Sequence, residues 1–145
     1  MTREAKKEDL NALLQLYLYL HEQEIPEDSQ ALRETWDTIM KDENHHIILN
    51  VADGVLVSSC VCVIVPNLTR GVRPYALIEN VVTHEKCRGK GYATECLNHA
   101  RKIAMKNNCY KMMLLTGSKK QSTLDFYVKA GYNCVDKTAF VQWLP

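Results

Sequence analysis

Apolar positions recur with two periods along this chain, and each change of period marks an element. Leu10, Leu13, Leu14, Tyr17 and Leu18 repeat at helical spacing. A second helix is predicted after Asp28 or Ser29, either of which can cap it, with Leu32, Trp36, Ile39 and Met40 as its buried stripe. Ile25-Pro26-Glu27 breaks the two helices apart, because proline lacks the N–H that a helix interior needs. The strand period governs Arg3–Ala5, His45–Val51, the long run Val55–Val65, and Tyr75–Thr83. Asp53-Gly54 reads as a hairpin turn, since both residues tolerate positive φ. A long helix from about Gly91 to Asn107 follows, with Ala93, Leu97, Ala100 and Ala104 on one face.

Lys111–Thr116 is apolar throughout its centre, as a buried strand would be. Ser118 is positioned to cap a helix that ends near Lys129, with Gly131 as its stop. Tyr132–Val135 and Thr138–Trp143 read as two final strands. The order is β-αα-βββ-α-β-α-ββ. Strand, helix and strand from Ile78 to Leu115 imply a parallel pair with a right-handed crossover, inside a sheet that is otherwise antiparallel. The expected fold class is α/β, a mixed sheet with helices packed on it. The expected organisation is one domain over residues 1–145.

Composition narrows the function. Lysine and arginine number 18 against 17 acids, a net charge of +1, which argues against a nucleic-acid partner. No apolar run approaches the roughly 20 residues that span a bilayer, so no membrane is expected, and the N-terminus lacks the apolar stretch of an export signal. The predicted location is the cytoplasm, where Cys60, Cys62, Cys87, Cys96, Cys109 and Cys134 stay reduced. Their spacing fits no zinc pattern, and they are read as small buried hydrophobes. No metal is expected. His45 and His46 alternate faces of one strand and make no ligand pair.

The chemistry concentrates after Thr83, where a strand gives way to a basic, glycine-rich loop and then a long helix: Arg88-Gly89-Lys90-Gly91-Tyr92-Ala93-Thr94. N–H groups at a helix start are unpaired and carry partial positive charge. Glycines let that backbone approach an oxygen-rich ligand, and Arg88 and Lys90 add full charge. Two common phosphate loops fail here. Gly89 and Gly91 do not fit the P-loop spacing, and the dinucleotide fingerprint would need a glycine or alanine where Thr94 stands.

The loop instead resembles the Arg/Gln-x-x-Gly-x-Gly/Ala signature of the GNAT acetyltransferase superfamily, carried here by Arg88, Gly91 and Ala93. Leu124-Asp125-Phe126-Tyr127-Val128-Lys129-Ala130-Gly131-Tyr132 is similar to that family's late helix with its Phe-Tyr pair and Gly-aromatic turn. The element order over nearly the whole chain resembles the family as well. Ile78-Glu79-Asn80-Val81-Val82 and Asn108-Cys109-Tyr110-Lys111 are also similar to glucosamine-6-phosphate N-acetyltransferases. Two features depart from the family pattern. His84 stands where proline is common, and the late helix opens Lys119-Lys120-Gln121-Ser122-Thr123 without an asparagine that often contacts the coenzyme.

The resemblance implies an N-acetyltransferase that moves an acetyl group from acetyl-CoA to a primary amine of a small molecule, an amino sugar or another anionic amine. Arg88 to Thr94 and Ser122 would hold the coenzyme. Backbone groups of Val81, Val82 and Thr83 would pair with its pantetheine arm, an amide near Val81 or Val82 would meet the thioester oxygen, and the parallel neighbour, Leu114 to Thr116, would splay away to open a cleft for it. Tyr127 is the implied general acid for the leaving thiolate. Glu79 is the candidate base, because a carboxylate in an apolar strand is costly to bury unpaired and gains basicity when desolvated. His84 is a weaker candidate for the same role. The family shapes its acceptor site from the first two helices and nearby loops, here Leu18–Ser29 and Pro66–Pro74, the second of which carries Arg70 and Arg73. The late strands offer pairing across a homodimer. The competing readings are a coenzyme A-binding sensor or subunit without turnover, and a nucleotide-phosphate binder of another class.

Overall fold

A computed structural model describes all residues from Met1 to Pro145. Five strands form one sheet in the order β1 to β5: β1 Thr2–Glu4, β2 His45–Ala52, β3 Val55–Val65, β4 Tyr75–Thr83 and β5 Met112–Leu114. The first three pairings are antiparallel and β4–β5 is parallel, as the element order required. The helices are α1 Leu10–Tyr17, α2 Gln30–Lys41, a distorted turn α3 Thr69–Val72, α4 Tyr92–Lys106 and α5 Gln121–Lys129. No helix is long and apolar enough to cross a membrane.

Strand alternation sends side chains to two faces, and each face has its own core. On one face Ile48, Cys60, Cys62, Ile64, Ala76 and Ile78 meet Cys96, Leu97, Ala100 and Ala104 of α4, with Phe126 and Tyr127 of α5 packed against them. Cys60, Cys62 and Cys96 are buried and act there as small hydrophobes, as read from the sequence, but Cys87 and Cys109 are only partly buried, and Cys134 is exposed and outside both cores. On the other face Ile47, Leu49 and Val61 meet Leu13 of α1 and Trp36 of α2. Ser29 caps α2 by accepting the Leu32 N–H at 3.2 Å. Trp36 is that helix's anchor: it is its one buried residue, and its indole N–H donates to the Lys7 carbonyl at 3.1 Å.

Local turn chemistry matches expectation at two places. Asp53 and Gly54 both adopt positive φ between β2 and β3. Gly131, at φ +96, ends α5: its N–H bonds Val128 O at 3.0 Å and the Tyr132 N–H bonds Tyr127 O at 3.0 Å, the paired closure that only a left-handed residue permits.

Three expectations need correction. The Lys111–Thr116 strand is paired only over Met112–Leu114, because β4 and β5 separate beyond the Ile78–Leu114 pair. Ser118 does not cap α5 directly. Lys120 occupies the cap, and the Ser118 hydroxyl accepts the Lys120 N–H at 3.3 Å instead. The two final strands are absent: residues 132–145 have no strand. Extended propensity alone does not make a strand, which needs an edge to bond, and this segment pairs with no strand of its own sheet. Its side chains are left in water, Phe140 and Trp143 each at 90% exposure.

Candidate functional site

The separation of β4 from β5 opens a cleft through the sheet. Its volume is about 380 Å³, and it is walled by Ile78, Glu79, Asn80 and Val81 on one side and by Leu114, Leu115, Thr116, Gly117 and Ser118 on the other. Leu20 and His21, just past α1, close it from one sheet face, and Tyr127 of α5 closes it from the opposite face. Because β5 pairing stops at Leu114, the β5-facing edge of β4 from Glu79 to Thr83 has no neighbouring strand. A free edge of this kind bonds any extended ligand laid along it.

A bulge bends that edge. Ser59 pairs with Val82 and Val61 with Glu79, so Asn80 and Val81 together oppose Cys60 alone. Asn80 takes φ +50, which asparagine tolerates better than most residues. Its side chain lies beside Tyr17 of α1, whose hydroxyl is pushed up to about 12, chiefly by burial. The bulge was missed in the sequence. Its one signal was an asparagine in the middle of an apolar strand, where asparagine is disfavoured.

At the end of β4, His84 leads into a three-residue turn, Glu85–Cys87, and then the glycine loop. Gly89 sits at φ +75 and Gly91, the N-cap of α4, at φ +85. A Cβ at either position would meet no protein atom within 4 Å, so the space over the loop is open to a ligand. Arg88 spans the loop and donates from Nε to the Thr83 carbonyl at 3.3 Å. Arg88 and Lys90 are exposed beside the helix start. These features fit an anion held by backbone N–H groups and two cations.

The sequence-predicted residues divide as follows. Glu79, Val81 and Tyr127 meet at the cleft. Tyr127 is half-buried against Phe126, centroids 5.0 Å apart, and its hydroxyl is raised above the ordinary phenol value mainly by burial. Glu79 is exposed, so the burial expected to tune its carboxylate is not there. Val82 turns its side chain into the core, leaving only its backbone for the cleft, while the Thr83 hydroxyl pairs with Ser58 at 2.8 Å. Tyr92, Ala93 and Thr94 form the first turn of α4. Ser122 is exposed on the first turn of α5, outside the cleft wall.

Arg70 and Arg73 do not reach the cleft. Arg73 donates to the Asn108 and Cys109 carbonyls at 3.1 and 3.0 Å, and Arg70 stacks over the Tyr110 ring at 5.6 Å. Both are engaged near the start of β4, at the opposite end of that strand from the glycine loop. Of the two implied acceptor segments, Leu18–Ser29 reaches the cleft through Leu20 and His21, while Pro66–Pro74 contributes no residue to its wall.

His84 is held at both ring nitrogens. Its Nδ1 accepts the Lys86 N–H at 3.2 Å, which leaves Nε2 to carry the proton and donate to the Tyr19 hydroxyl at 3.0 Å. The two rings also pack, with centroids 4.4 Å apart.

Comparison with known proteins agrees with this arrangement. A model of the acetyltransferase (GNAT) family matches residues 9–132. A solved structure from Agrobacterium tumefaciens with an acetyltransferase assignment is 37% identical, covers 99% of both chains and superposes with a TM-score of 0.91. A glucosamine 6-phosphate N-acetyltransferase of Trypanosoma brucei brucei is 32% identical over 84 residues, 58% of this chain and 55% of that protein, so the match spans about half of that relative. An aminoglycoside N-acetyltransferase solved in complex with CoA superposes at a TM-score of 0.75 over 100% of both chains, at 14% identity, a likeness of fold alone. The glycine loop, the split between β4 and β5, and the family match over most of its length place the chain in the acetyltransferase (GNAT) family of enzymes.

Proposed function

We infer that the chain transfers the acetyl group of acetyl-CoA to a primary amine of a small molecule, with both substrates bound at once. The observation that carries this reading is the free edge of β4 from Glu79 to Thr83, lying between the α4 N-terminus and Tyr127. The coenzyme supplies an activated acetyl thioester when bound. Arg88, Lys90 and the N–H groups from Gly89 to Thr94 take its pyrophosphate. The backbone of Val81, Val82 and Thr83 takes its pantetheine arm as an added strand. An amide near Val81 or Val82, beside the bulge, meets the thioester oxygen, where a donor aimed at developing negative charge is worth most. Like any phenol the Tyr127 hydroxyl is protonated through the neutral range, burial raises it further, and it donates toward the sulfur as its bond breaks. Glu79, exposed on the amine side of the cleft, receives the amine's proton through water.

The acceptor enters from the side of Leu20 and His21. With Arg70 and Arg73 engaged elsewhere, Glu79 is the acidic residue of the cleft wall, and it draws a cationic amine before deprotonation. The likeness to a glucosamine 6-phosphate N-acetyltransferase supports an amino sugar as the first acceptor to test. The proposed compartment is the cytoplasm, where six thiols stay reduced. Incubation with acetyl-CoA and a panel of amines, reading free thiol, tests the assignment. Thiol release that depends on an added amine is expected. Coenzyme A binding without release from any amine would instead favour a sensor of the same fold.

A further inference from the structure

The segment between α1 and α2 borders the amine side of the cleft, yet little holds it. Residues 21–30 are all exposed. No backbone N–H or carbonyl from residues 21–28 takes part in a backbone hydrogen bond outside the helices and strands. The side-chain bonds of Asp28 and Ser29 are local, to Arg33 and Leu32 at the start of α2. The turn Leu18–Leu20, by contrast, is bonded back to α1 through three N–H groups. From this turn one side chain reaches across the molecule: the Tyr19 hydroxyl meets His84 at a sequence separation of 65.

His84 is placed to transmit force. Its backbone, at φ −50 and ψ 132, has the conformation that a proline ring would fix. Here hydrogen bonds hold it instead, and they run in two directions. Through Nδ1 it caps the turn that leads to Arg88 and the glycine loop. Through Nε2 and its ring face it grips Tyr19. Tyr19 is followed directly by Leu20 and His21, which line the cleft.

We propose that Tyr19 and His84 are positioning residues that tie the acceptor-side segment to the donor loop, so that an acyl-CoA at the loop and an amine in the cleft strengthen each other's binding. This rests on the donor assignment made above. An anion that stiffens the glycine loop stiffens His84, and through it Tyr19, Leu20 and His21. The ordering cost of the acceptor wall is then met before the amine arrives, which is positive coupling without a change of shape. Linkage makes the effect reciprocal.

Coenzyme A itself is the probe. Glu22, Glu24 and Glu27 offer cleavage sites for a glutamate-specific protease within the loosely held segment. Coenzyme A is expected to slow cleavage there about fivefold in the full-length wild type, on the scale of one net hydrogen bond. In Tyr19→Phe, which keeps the ring and loses the hydroxyl, the slowing should fall below about twofold. In His84→Asn, whose side chain can still cap Lys86 and cannot reach Tyr19, it should fall likewise. Calorimetry should show that Tyr19→Phe still binds coenzyme A, up to about fivefold more weakly than the wild type, the reciprocal of the lost protection. Should glucosamine 6-phosphate be turned over, its KM at saturating acetyl-CoA should rise in both variants while kcat holds. Equal protection in wild type and both variants, with coenzyme A bound to all three, would overturn the coupling and leave the donor site intact. Absence of coenzyme A binding to the wild type would remove the donor site and the coupling together.

Discussion

Single residues show how environment assigns roles. Tyr127 and Glu79 were both named from the sequence, and both face the cleft. Only one has the setting anticipated for it. Tyr127 lies among Phe126, Tyr132 and the strand core, where burial raises its hydroxyl above the ordinary phenol value. Glu79 is in water, because the strand it interrupts has lost its neighbour at that point. Removing the hydroxyl should therefore cost turnover and little else: Tyr127→Phe is expected to lower kcat about 10- to 100-fold, the low end of general-acid effects, with coenzyme A affinity unchanged. Steady-state kinetics with calorimetry checks this, and wild-type turnover in the variant would remove the role. Asn80 is the opposite case. Its identity was in plain view, but its left-handed φ depends on how β3 pairs with β4.

At the scale of elements, the strand–loop–helix unit around Arg88 was legible because its requirements are local. Glycines at positive φ, cations and an unpaired helix start lie within ten residues and need no distant partner. The structure sharpens what Gly91 does. Since a Cβ there meets no protein atom, the objection to a side chain is backbone strain and the ligand's own volume. Gly91→Ala should lose about 1–2 kcal/mol of stability from the left-handed backbone. Gly91→Glu should add a charge against the pyrophosphate and abolish coenzyme A binding. Thermal melts and calorimetry on the two variants separate these effects, and undiminished affinity in Gly91→Glu would refute the loop assignment. The caps were less legible. Ser29 caps as expected, while Ser118 sits in the turn before its helix. Both are serines in plausible places, and the loop geometry between them and the first helical turn decides which is used.

At the scale of the molecule, the tail is an unpartnered surface. Val135, Phe140, Trp143 and Leu144 are each more than 80% exposed. A run of apolar side chains in water marks a contact surface. The outer edge of β5 carries no strand, and Leu115 and Val128 beside the cleft are exposed as well. We propose that a second copy of the chain supplies the matching element, its tail forming on the β5 edge the strand that it does not form on its own sheet. Light scattering on the full chain should give a dimer, and Phe140→Asp with Trp143→Asp should give a folded monomer. A monomeric wild type would end the proposal of a homodimer.

The sequence by itself determined the elements that rest on short-range physics: the two helical stripes of α1 and α2, the hairpin at Asp53-Gly54, the anion loop, and the stop at Gly131. Each is set by periodicity, φ tolerance or capping within a few residues. Tertiary structure alone decided the bulge at Asn80, the Tyr19–His84 contact and the fate of the tail. These depend on which edges meet and which remain free. A chain's local pattern can declare that a segment is fit to be a strand, but the hydrogen-bonding partner that makes it one lies far away in sequence, and the tail has none within its own sheet.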